Sequence, residues 1–177
     1  VSITPIPTRL GIYSAAELEA AIRPARFRSP LSRLAHIEQT ANRGGRAVWP
    51  LATVAEVAEM AWSYGLNVHM DGARLLNAVV ASNVSAAAFA APCDSVWIDL
   101  SKGLGAPIGS VLAGSRDFNA QAWGGKQRLG GAMRPPWVIR GGGIPAPDAH
   151  RVTLAVSHRH TKNLPRHLSW CLRPPQA

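Results

Sequence analysis

Between residues 30 and 134, short apolar runs alternate with stretches of helical spacing. LAHIEQT (34–40) is an apolar run ending in polar residues and predicts a strand, and NRGG (42–45) supplies loop chemistry behind it. After Pro50, the residues Leu51, Val54, Val57, Ala58 and Ala61 repeat at the spacing of one helix face. Thr53 and Glu56 form a T-x-x-E pattern that predicts a capping box at the start of that helix, and Gly65 predicts its end. LNVHMD (66–71) then predicts a strand, ARLLNAVVA (73–81) a helix, SVWIDLS (95–101) and GSVLAGS (109–115) two more strands, and SRDFNAQAW (115–123) the start of a further helix. An earlier helix, at about 15–23, carries its own capping box from Ser14 to Glu17. Strands separated by helices of this length predict βαβ units with right-handed crossovers. The class is therefore α/β, a mostly parallel sheet flanked by helices.

Length and punctuation divide the chain. At 177 residues it suits one domain, and a start at Val1 rather than Met reads as a piece of something longer. Residues 1–30, with Pro5, Pro7 and Pro24, read as a lead-in segment; 31–134 carry the core; 135–177 form a basic tail rich in proline and glycine, with a helix expected near 150–163. The net charge of +9 is uneven: residues 1–134 hold 13 Lys/Arg against 9 Asp/Glu, and the last 43 hold 6 against 1. Charge concentrated in an end of that composition reads as a solvated tail rather than a phosphate-binding one, so no nucleic-acid partner is expected. No stretch approaches the roughly 18–20 apolar residues of a membrane span. Cys93 and Cys171 have no C-x-x-C spacing, and with no secretory leader pattern a cytoplasmic chain is expected.

Chemistry in an open α/β sheet gathers where parallel strands end. Asp71 closes one expected strand and Lys102 follows another, 31 positions later, which is about one βαβ crossover. The two side chains are thus expected in one crevice. An ion pair is the plainest use of an acid and a lysine. The setting DLSKGLGAPIGSVLAG argues for more, because Gly103, Gly105 and Gly109 let backbone approach a bound molecule closely. A desolvated lysine with a depressed pKa is a nucleophile for carbonyls, so Schiff-base chemistry is expected.

Three separated motifs, HMDGARLLNA, DSVWIDLSKGLGAPIGSVLAGS and KQRLGGAMR, together resemble the threonine aldolase and aromatic amino-acid β-eliminating lyase family over residues 34–134. These are pyridoxal-phosphate enzymes of the aspartate-aminotransferase fold. The resemblance implies part of the large domain of a fold type I, PLP-dependent transferase-like enzyme, and a homodimer or homotetramer in the complete protein. It implies that Lys102 carries pyridoxal 5'-phosphate covalently, that Asp71 pairs with the pyridine nitrogen, and that Arg74 lies near the phenolic oxygen and the substrate carboxylate. Ser101 would hydrogen-bond near the phosphate, His69 is either structural or catalytic, and Arg134 is structural or near a subunit interface. The implied reaction cleaves a small β-hydroxy amino acid to glycine and an aldehyde, as in low-specificity L-threonine aldolase.

IEQTANRGG resembles the family's E-x-T-H-N-x-G-G, with Ala41 where that pattern has a histidine contacting the substrate hydroxyl. That departure leaves room for another enzyme of the same fold, a β-eliminating lyase, racemase or transaminase. A second departure, Pro135-Pro136 after Arg134, leaves room for a fragment inactive alone, or a non-catalytic remnant or basic binding protein.

Overall fold

A computed structural model of the chain describes residues 2–24, 28, 30–104, 106–131 and 154–157. The elements are α1 (Ala15–Ala21), β1 (Leu34–Glu38), α2 (Leu51–Ser63), β2 (Asn67–Asp71), α3 (Leu75–Ser82), α4 (Ala86–Ala90), β3 (Ser95–Asp99), β4 (Ser110–Gly114) and α5 (Arg116–Arg128). The sheet order is β1-β2-β3-β4. The first three strands run parallel and β4 is antiparallel to β3, which is the mostly parallel sheet that the alternating pattern predicts.

Period-two burial explains which face each strand residue takes. Ala35, Ile37, Val68, Met70 and Val96 are buried in one core with Val54, Val57, Ala58 and Ala61 of α2, Leu75 and Ala78 of α3, and Phe89 of α4. Segment 1–30 joins the same core through Tyr13 and Leu18, and the Tyr13 hydroxyl donates to the His36 carbonyl at 2.8 Å. Burial, with a small contribution from the nearby Cys93, pushes the Tyr13 phenol well above its ordinary range. The alternate positions share the other face: Leu34, His36 and Glu38 of β1 lie level with Asn67, His69 and Asp71 of β2, and His69 and Asp71 with Ser95 and Trp97 of β3.

Helix ends follow their local chemistry, with one correction. α1 carries the expected box: Ser14 Oγ accepts from the Glu17 N–H, and the Glu17 carboxylate accepts from the Ser14 N–H. α2 does not begin at a Thr53–Glu56 box. Its N-cap is Pro50, with no side-chain cap, so Thr53 and Glu56 lie inside the helix. The reason lies just upstream, where Gln39 holds both backbone groups of Trp49 and the ring of Pro50 fixes φ at −60°. The other end behaves as expected. Gly65 at φ +71° gives its N–H to Trp62 and Leu66 gives its N–H to Ala61, the paired bonds of a Schellman stop.

Two elements differ from the sequence pattern. α4 is not foreseen; it is a five-residue alanine-rich turn capped by Ser85, whose Oγ accepts from the Ala88 N–H. α5 runs on through Gly124 and Gly125 to Arg128, although each glycine costs about 1 kcal/mol relative to alanine. Of the helix expected near 150–163, residues 154–157 are described and are helical, and the rest lies outside the described residues. No described helix is long and apolar enough to cross a membrane.

Candidate active site at the strand ends

β1, β2 and β3 end side by side, and their exits are tied together by backbone bonds. The Gln39 N–H donates to the Asp71 carbonyl at 2.7 Å, and the Arg74 N–H donates to the Gln39 carbonyl at 3.1 Å. Gly72 N–H donates to the Trp97 carbonyl at 2.8 Å. A Cβ at position 72 would stand 2.5 Å from that same carbonyl, so only glycine allows β2 to leave the sheet this close to β3.

Asp71 therefore sits at a fixed corner. Its Oδ1 accepts from the Ala73 N–H at 3.0 Å, and among the described residues its second oxygen has no hydrogen-bond partner. The register places Asp71 level with Trp97 on the neighbouring strand. Arg74 begins α3, and its guanidinium donates to the Asn42 side chain at 2.8 Å, which ties it to the loop leaving β1.

Lys102 follows β3 by three residues. Its ammonium lies 2.9 Å from Asp99 Oδ2 and 5.6 Å from the centroid of the Trp97 ring. Trp97 is thus related to both residues, to Asp71 by strand register and to Lys102 by the position of its ammonium. Ser101 donates to Asp99 Oδ1 twice, from its N–H at 2.8 Å and from its hydroxyl at 2.5 Å. A hydroxyl donating to Asp99 has no proton left for a phosphate. Burial acts to raise the Asp99 carboxyl, but the Ser101 hydroxyl and the Lys102 ammonium outweigh it and hold the group below the usual carboxylate range. Gly103 is packed less tightly than Gly72, since a Cβ there would first meet the end of the Leu154 side chain, at 2.8 Å.

His69 stands one step back along β2. Its Nδ1 lies 2.8 Å from Ser95 Oγ and its ring centroid 5.8 Å from that of His36. Burial pushes its pKa below 6.5, His36 adds to the shift, and Asp71 and Ser95 oppose it. Arg134 lies outside the described residues.

Ala41, which stands where the family pattern has histidine, is 1% exposed, and its N–H donates to the Ala47 carbonyl at 2.9 Å. Segment 10–11 presses on this loop: a Cβ on Gly11 would meet the Ala41 methyl at 3.0 Å, and one on Gly44 would stand 1.7 Å from the Leu10 carbonyl. The alanine fills its space. Sequence reasoning missed three residues that organise these strand ends, Gln39, Trp97 and Asp99. Only Asp99 had a legible signal, the Asp-x-Ser spacing that favours a side-chain turn onto the backbone.

A family model described as beta-eliminating lyase matches residues 1–173. The chain is 38% identical over 157 residues to low-specificity L-threonine aldolase 1 of Arabidopsis thaliana, covering 87% of this chain and 44% of that protein. It is 38% identical over 137 residues to low specificity L-threonine aldolase of Escherichia coli K12, covering 77% of this chain and 40% of that one. In fold it is similar to a solved threonine aldolase of Leishmania major, with a TM-score of 0.79, 20% identity, and coverage of 93% of this chain and 49% of the other. The chain thus spans less than half the length of the relatives it matches. With residues 1–173 matched by the family model, the chain belongs to the beta-eliminating lyase family.

Proposed function

We propose that this chain is part of a pyridoxal-phosphate-dependent lyase that cleaves a small β-hydroxy amino acid to glycine and an aldehyde. The observation that supports the reading is that Asp71 ends β2 level with Trp97 of the adjacent parallel strand while the Lys102 ammonium lies 5.6 Å from the Trp97 ring, in a chain similar to named threonine aldolases. The donor set fits the cofactor at two points. Lys102 offers a half-exposed amine for the aldehyde, and Asp71 keeps one carboxylate oxygen without a partner among the described residues for a protonated ring nitrogen.

Pyridoxal phosphate supplies an electron sink for the charge left when a bond to Cα breaks. Asp71 would hold a proton on the ring nitrogen, and the backbone bonds through Gln39 and Gly72 fix where that carboxylate stands. Arg74 would bind the substrate carboxylate with its planar fork, which its tie to Asn42 orients. Ser101 is the weakest member, because its hydroxyl already serves Asp99. The complete protein would work as a homodimer or homotetramer, in the cytoplasm.

Reduction of the cofactor-loaded protein with borohydride, followed by peptide mapping, tests the assignment. Label on Lys102 is the expected result; label on Lys126 or Lys162, or none, overturns it. A second reading rests on Ala41, whose packing leaves no imidazole for a β-hydroxyl: a relative of the same cofactor class that eliminates a β-substituent. Aldehyde release from threonine or allo-threonine, measured against pyruvate and ammonia release, separates the two.

A further inference from the structure

We propose that Asp99 is the counter-ion of the Lys102 nitrogen, a positioning residue that holds the nitrogen beside Trp97 and restrains its attack on carbonyls. The proposal rests on the reading of Lys102 as the carbonyl-binding lysine, and it adds a residue which that reading does not contain.

The geometry is built from the strand end outward. β3 stops at Asp99 because the carboxylate turns back onto the chain, its Oδ1 taking both the N–H and the hydroxyl of Ser101. That pair of bonds fixes the carboxylate plane and directs the other oxygen, Oδ2, to the Lys102 ammonium at 2.9 Å. The Asp99 side chain is 12% exposed and that of Lys102 42%, so the acid is held in the protein while the base reaches out from it. An acid fixed in this way orders the lysine, not the reverse.

Charges from neighbouring elements act in the same direction. On β3, the Trp97 face lies 5.6 Å from the ammonium and favours the cation. On β2, Asp71 lies level with Trp97 and adds a second negative charge. Arg74, the positive group at this corner among the described residues, directs its guanidinium to Asn42. On β4, the register partner of Asp99 is Ser110, which is uncharged.

A carbonyl is attacked by the neutral amine, so a carboxylate bonded to the ammonium slows that attack. The charge balance explains why such an acid is compatible with the chemistry. When a lysine ammonium condenses with a carbonyl, a C=N bond forms and the carbonyl oxygen leaves as water with two of the three ammonium protons. The nitrogen keeps one proton and its positive charge. Asp99 therefore pairs with the nitrogen both before and after condensation, and disfavours only the neutral amine between them. An acid so placed suppresses reaction with stray aldehydes while holding the nitrogen where a bound carbonyl arrives.

The test uses the full chain without cofactor and formaldehyde with cyanoborohydride as the carbonyl probe. The rate of methylation of Lys102 at one fixed pH is followed by peptide mapping, with Lys126 as the internal reference. Lys126 also has an aromatic neighbour, Trp123 at 4.8 Å, but no carboxylate partner among the described residues. Asp99→Asn keeps an oxygen for Ser101 and removes only the charge. For a pair this exposed, Lys102 in Asp99→Asn is expected to gain roughly threefold in methylation rate relative to Lys126. Asp99→Glu is expected to return the rate towards the parent's. An unchanged or slower Lys102 in Asp99→Asn overturns the proposal. If circular dichroism shows that the variant does not fold, the parent is methylated at low and high salt; a Lys102 rate that does not rise relative to Lys126 overturns it equally. Because the probe needs no pyridoxal phosphate, borohydride label at another lysine would sink the cofactor assignment and leave this comparison readable.

Discussion

Gln39→Leu removes one side chain of similar size and breaks two bonds at once. Gln39 is 0% exposed; its Nε2 donates to the Trp49 carbonyl at 3.2 Å and its Oε1 accepts the Trp49 N–H at 3.1 Å, with Trp49 itself 1% exposed. Leucine leaves both backbone groups buried and unpaired, at about 1–3 kcal/mol each, and regains about 1 kcal/mol as apolar burial. The expected net loss is about 3 kcal/mol, a large share of the roughly 5–15 kcal/mol that holds a domain together. Urea unfolding followed by far-UV circular dichroism should show the midpoint fall with the slope unchanged. A loss under about 0.5 kcal/mol would refute the reasoning, because it would mean that water or a backbone shift satisfies Trp49. Gln39→Glu sharpens the test. It keeps an acceptor for the N–H but sets a carboxylate oxygen against the Trp49 carbonyl, and the carboxyl must be protonated to donate there. Its stability should therefore rise as pH falls through the raised pKa of that carboxyl, which Gln39→Leu cannot do.

Two other outcomes follow from the same geometry. Ala41→His would not restore a substrate contact: the Ala41 methyl already meets segment 10–11, so the ring must displace it at a cost of about 1–3 kcal/mol, read as a lower melting temperature, and an unchanged one would refute the packing. His69 has a folded pKa below 6.5, so as pH falls the unfolded chain takes the proton first. Its contribution is full above about pH 6.5 and is lost below it as the pH falls towards the folded value; urea midpoints for the parent and His69→Gln over a pH series should differ in slope there, and equal slopes would refute it.

The strands were legible because period-two burial leaves a direct mark: Ala35, Ile37, Val68 and Met70 alternate with polar or exposed partners. Asp71 and Lys102 were legible because glycines beside a strand end are rare without a reason. Pro50 misled, since a T-x-x-E pattern two residues further on imitates a cap, and nothing local tells that Gln39 already holds Trp49. Gln39 reads as an ordinary polar residue closing a strand, and its partner lies ten residues away across a loop. Trp97 and Asp99 sat inside an apolar run, where their contacts to a lysine three or more residues later depend on how sharply the strand ends. Ala41 was visible as a departure, but the reason for it, Gly11, lies 30 positions earlier.

The antiparallel placement of β4 has a mechanical consequence for the lysine. Because β4 returns alongside β3, the segment from Leu100 to Gly109 leaves and re-enters the sheet at one corner, and the Leu100 N–H closes its neck on the Gly109 carbonyl at 2.9 Å. Lys102 hangs from that closed ring, two residues past its neck. Tilting or replacing α5 pulls on the far end of β4 and leaves the neck in place. Helix α5 can therefore change in evolution or design while the reactive nitrogen keeps its anchor.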